Sequence, residues 1–133
     1  MSWTTFSTAI KGKDKPHCQD ATYAAKTGCH IILAVADGVG SHQHSALGSH
    51  RAIQLVRSLS PRLLESSLPP QDICRRLFSQ VVHQWSRWAQ SLSASDAHAP
   101  QFNNVQTTFA IAVRSEAHTS ELQSRSELVC RLL

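Results

Sequence analysis

Residues Ile31–Ala36 (IILAVA) form an unbroken apolar run, and Asp37-Gly38-Val39-Gly40 follow it without a spacer. Such a short run, rich in β-branched residues and closed by a turn signal, reads as a core strand buried on both faces. An acid at the end of that strand is aimed into a cleft, and the glycines behind it let another group approach the backbone closely. Hard divalent cations and phosphates are the ligands suited to such a corner. The competing reading is a plain turn, the commonest use of an Asp-Gly pair.

The sequence on either side gives this strand its neighbours. Cys18–Lys26 reads as a second strand, joined to Cys29–Ala36 by a tight hairpin at Thr27-Gly28. Antiparallel pairing about that turn sets Asp20 opposite Asp37. Two carboxylates face to face across a strand pair repel unless a cation sits near them, which raises Asp37 above a turn residue. Trp3–Ile10 (WTTFSTAI) has the β-branched and aromatic content of a further strand, ahead of a polar turn at Lys11–His17.

Beyond the glycines, Ser45 is the expected N-cap of a helix that runs to about Ser60 and is stopped by Pro61. Leu47, Ala52, Ile53, Val56 and Leu59 share its apolar face. After Pro69-Pro70, residues 71–92 carry a second apolar stripe from Ile73 to Ala89. That stripe includes Trp85 and Trp88, read as packing residues. Residues 91–104 form a polar loop, and Val105–Val113 a last core strand. The order strand, strand, strand, helix, helix, strand with short turns among the strands predicts an α+β class with a largely antiparallel sheet.

A chain of 133 residues with 41% hydrophobic residues suits one modest domain. No segment approaches the ~20 apolar residues of a membrane helix, and the N-terminus lacks a basic region followed by an apolar run. The four cysteines show no CxxC or zinc-ribbon spacing, so reduced thiols in a cytoplasmic protein are expected. The net charge of +4 comes from dispersed residues, apart from Lys11, Lys13 and Lys15. A nucleic-acid partner needs a broader basic face with aromatic residues among it, and none is expected here. The composition gives no sign of oligomerisation, so a monomer is expected.

Residues 114–133 (RSEAHTSELQSRSELVCRLL) stand apart. The part RSEAHTSELQS resembles, with one substitution, the translation of a common sequencing-library adapter. The native reading frame is therefore expected to end near Val113, with 114–133 a non-native tail. An ordinary polar C-terminal helix is the alternative.

Three chemistries compete for the polar residues. Asp20, Asp37 and the Gly38 carbonyl form an all-oxygen set for Mg²⁺ or Mn²⁺, which take one or two carboxylates and keep several waters. His42-Gln43-His44 resembles the zinc-binding turn of the metallo-β-lactamase-like hydrolases, but Ala46 and Leu47 stand where that turn needs ligands. Nucleophilic catalysis is poorly served. Ser41 and Ser45 lack a nucleophile elbow, and Cys18 beside His17 points to the opposite strand face.

Taken as a set, KPHCQDA, the hairpin, ILAVADGVGSHQHSALGSHRAIQLV and QTTFAIAV resemble the metal-dependent serine/threonine protein phosphatases of type 2C, closest to the bacterial subgroup with Gln-Asp-Ala. The resemblance spans residues 3–113. It implies part of a four-layer αββα sandwich of two antiparallel sheets, truncated here, with helices 45–60 and 71–92 forming one outer layer. It also implies two Mn²⁺ or Mg²⁺ ions bridged by Asp37, with the Gly38 carbonyl on one of them and Asp20 supporting the site through water. Lys15 stands where most relatives place the arginine that grips the substrate phosphate; it keeps the charge and loses the bidentate fork. Gln19 replaces an acidic residue of many relatives. The implied reaction is hydrolysis of phosphoserine and phosphothreonine in a protein substrate. The family draws further aspartates from beyond Val113, and residues 114–133 contain none. The chain alone is accordingly expected to lack turnover, and a non-catalytic phosphatase-like binding module is the other class to separate from the enzyme.

Overall fold

The structure, a computed structural model, describes residues 4–14, 18–39, 44–92, 104–115 and 126–132. Strands β1 (Asp20–Thr27) and β2 (His30–Gly38) are followed by helices α1 (Ser45–Leu64) and α2 (Pro70–Gln90). Strands β3 (Thr107–Ser115) and β4 (Ser126–Leu132) complete one four-stranded antiparallel sheet in the order β1-β2-β3-β4. The α+β class read from the sequence is the class observed, with one sheet and one helical layer among the described residues.

The hairpin comes from Gly28. Its φ of +59° lies in the left-handed region, which costs glycine little and suits the first central position of a type II′ turn. Cys29 has no positive φ, so the loop residues are 28 and 29, one position later than the sequence suggested. The resulting register sets Ala25 against Ile32, Tyr23 against Ala34 and Ala21 against Ala36.

Both helices lie on the face formed by these residues and by Phe109, Ile111 and Val113 of β3. Ile32, Ala52, Val56, Ile73, Leu77, Val81 and Trp85 are wholly buried there. At about 1.5–3 kcal/mol for each large apolar side chain removed from water, this layer is the main stabilising feature of the fold. The Phe78 and Phe109 rings stack with centroids 5.7 Å apart. Trp85 also donates its indole N–H to the Gly48 carbonyl at 2.9 Å, so its polar handle is satisfied inside the core. Gly48 has to be glycine for a steric reason, since an added Cβ would collide with the Val105 carbonyl oxygen.

Several sequence-based expectations need correction. β2 is covered along its whole length on one face only; on the other, Ile31 is buried, but Leu33 and Val35 are 47% and 52% exposed. Periodicity cannot tell a strand buried on both faces from one whose second face is apolar yet open. Residues 4–10 carry no strand, and Phe6 and Ile10 are 86% and 83% exposed. Strand propensity without a packed neighbour does not make a ladder. Helix α1 passes through Pro61 to Leu64 because Leu64, 2% exposed, draws the last turn into the core. The cap of α1 is His44, and Ser45, buried, is already helical. Residues 126–132, where helical periodicity was the alternative to a non-native tail, pair with β3 as a strand.

Candidate functional site

Asp20 opens β1 and Asp37 stands next to the end of β2, and the two are direct partners in the ladder. Directly opposed residues present their side chains on the same face, with Cβ atoms about 4.5–5.5 Å apart. Both aspartates are exposed, and both line a cleft of about 510 Å³ on the face away from the helices. Thr8 and Ile10 bound it on one side, with Thr22 and Thr108 among the strand residues on the other. The register expected from the hairpin is the register observed. Like charges placed directly opposite repel, and a cation between them relieves the repulsion.

Several contacts hold Asp37 in place. Its carbonyl accepts the Thr107 hydroxyl at 2.9 Å and the Thr108 hydroxyl at 3.4 Å. Thr107 is wholly buried and Thr108, its neighbour on the opposite face, is in register with Asp37. The sequence reading passed over these two threonines; the available signal was the polar pair Thr107-Thr108 heading the strand that must lie beside β2.

Gly38 plays a part different from the one expected. An added Cβ would stand 2.8 Å from the Ser45 carbonyl oxygen and 3.0 Å from that of Gln19. The group that approaches this backbone is the chain's own first helical turn. The Gly38 N–H donates to the Gln19 carbonyl at 2.9 Å, and the same carbonyl accepts the Ser49 hydroxyl at 2.5 Å. Gln19 therefore ties β1, the end of β2 and α1 together just behind Asp20. Its backbone carbonyl is the part engaged, whereas the sequence reading had considered its side chain.

Other candidates separate. Lys15 lies outside the described residues, as do Gly40, Ser41 and His42, so the phosphate-gripping position and the His42 half of the HxH pair have no described placement. His44 caps α1. Cys18, Cys29 and Cys74 are free thiols; burial pushes the Cys74 thiol above its ordinary value, as befits a packing residue. His30, which the sequence reading did not single out, is buried and donates from Nδ1 to the Leu64 carbonyl at 2.7 Å, closing the end of α1.

Among the described residues, no group of three or more His, Cys, Asp or Glu side chains could hold a metal ion. Two carboxylates with hydroxyls and backbone carbonyls nearby still suit a hard, mostly hydrated cation, since Mg²⁺ is commonly held by one or two protein carboxylates.

Comparison with protein families matches residues 11–123 to the protein phosphatase 2C family. The chain belongs to that family. Comparison with curated proteins and with solved structures returned no match. The phosphatase 2C match spans β1, β2, both helices and β3, so phosphatase-type chemistry is the frame for the acid pair. Among the described residues no helix is long and apolar enough to cross a membrane.

Proposed function

We propose that the Asp20–Asp37 pair is the beginning of a two-metal phosphatase centre that hydrolyses phosphoserine and phosphothreonine in proteins. The carrying observation is the direct pairing of the two acids at the mouth of one cleft. Asp37 would bridge two Mn²⁺ or Mg²⁺ ions, the Gly38 carbonyl would face one of them, and Asp20 would act through bound water. When bound, the ions supply a Lewis acid and a water of lowered pKa for attack on phosphorus. Thr107, through its hydrogen bond to the Asp37 carbonyl, fixes the backbone that carries the bridging acid. Lys15 is assigned to the substrate phosphate as a point charge. The free thiols of Cys18, Cys29 and Cys74 agree with a cytoplasmic setting.

Two carboxylates are a thin ligand set, so Mn²⁺ binding by the 133-residue chain is expected in the weak range, about 0.1–1 mM. Residues 114–133 are treated as non-native in this proposal, and they add no aspartate to the set. Calorimetric titration with MnCl₂ should show this binding in the wild type and lose it in Asp37→Asn. No uptake by the wild type, or equal uptake by both, would remove the metal centre. With p-nitrophenyl phosphate and Mn²⁺ the chain is expected to show no turnover. Turnover abolished by Asp37→Ala would show instead that these residues suffice for catalysis.

A further inference from the structure

Helix α1 carries His50, Gln54 and Arg57 on one stripe, at positions i, i+4 and i+7. All three are exposed. With Ser7, Thr8 and Thr22 they line a recess of about 480 Å³ bounded by α1, β1 and residues 7–9. The side chains around it are rich in donors. A guanidinium has five N–H groups and no acceptor, and a neutral imidazole carries an N–H in either tautomer. Arg51 donates to the Gln54 Oε1 at 3.0 Å, which leaves the NH₂ of that amide as the end that can serve a ligand. Three hydroxyls complete the set, and no carboxylate lines the recess. Arg57 is also steadied, with its guanidinium 5.1 Å from the centroid of the Tyr23 ring, so less side-chain freedom is lost when it takes a partner.

Such a set suits an oxyanion, a carboxylate or a phosphate, held by charge-assisted hydrogen bonds from the guanidinium. Thr8 and Thr22 line both this recess and the cleft beside Asp20 and Asp37. Thr22 stands two residues after Asp20 on β1, about 7 Å away at ~3.3 Å per residue. An extended peptide has the same rise, so a group in the recess belongs two or three residues from a group in the cleft. We propose that the recess is an anion subsite. It seats an acidic or second phosphorylated side chain of the protein substrate, two or three residues from the phosphate at the acid pair. Its role toward substrate rests on the phosphatase reading; its capacity for an oxyanion does not, since it needs no metal.

Inorganic phosphate is titrated into the isotopically labelled 133-residue chain in metal-free buffer. Amide NMR signals around His50, Gln54 and Arg57 should shift saturably, in the millimolar range of an open site. Arg57→Ala with His50→Ala should abolish these shifts, and Arg57→Lys should keep part of them. With Mn²⁺ present, a phosphoserine peptide flanked by glutamates should bind the wild type roughly three- to fivefold tighter than one flanked by alanines, the worth of one exposed charge pair. The double variant should lose that preference. Circular dichroism checks that it folds; if it does not, Gln54→Glu replaces it and should likewise abolish phosphate binding. Absent shifts, or shifts that survive the double variant, would overturn the anion site. Phosphate binding without a preference for the acidic peptide would overturn its role toward substrate. If MnCl₂ uptake fails while phosphate still binds here, the metal centre and the substrate role fall together and the anion site stands.

Discussion

Asp37 costs the apo fold something. Like charges placed directly opposite on neighbouring strands destabilise by about 0.2–1 kcal/mol, and Asp20 is its ladder partner. Asp37→Asn is therefore expected to raise urea-unfolding stability by roughly that amount without metal. With Mn²⁺ present the order should reverse, since an ion that binds only the folded wild type adds stability by mass action. Equal stability of the two chains in both conditions would show that the acids do not sense each other. The neighbouring glycine illustrates how a residue can be read correctly for conformation and wrongly for purpose. Close approach at Gly38 was legible in the sequence; that the approaching group is the Ser45 carbonyl was not, because nothing local specifies where a helix seats its first turn.

At the scale of elements, α1 is the most instructive. A proline inside a helix removes one backbone donor and crowds the carbonyl four residues earlier, which here is that of Arg57. Yet α1 continues through Pro61, held by Leu64 in the core and by the His30 imidazole on the Leu64 carbonyl. Local breaking loses to tertiary burial, since a buried leucine contributes about 1.5–3 kcal/mol. Pro61→Ala should therefore stabilise the protein by about 1–2 kcal/mol, the removed strain being partly offset by a more flexible unfolded chain. Chemical denaturation measures it, and a destabilised variant would mean that the proline ring itself packs favourably. The opposite imbalance governs residues 4–10. Their strand propensity meets no ladder, and Phe6 and Ile10 remain in solvent.

The molecule as a whole is a sheet with helices on one face and open apolar rows on the other. On its helical side Trp85, Phe109 and Ile32 are buried. The open side holds both the cleft and the acid pair.

What the sequence determined by itself was local and periodic. Alternating and 3.6-residue patterns placed β1, β2, α1, α2 and β3, and the hairpin glycine carried Asp20 to its position beside Asp37. The remaining decisions belonged to the tertiary structure. Which face of β2 meets the helices, whether Trp3–Ile10 finds a partner strand, how far α1 runs past Pro61 and what presses on Gly38 all depend on residues distant in the chain. Contacts of that kind leave no mark in a window of ten or twenty residues, because burial is conferred by neighbours that only folding brings together.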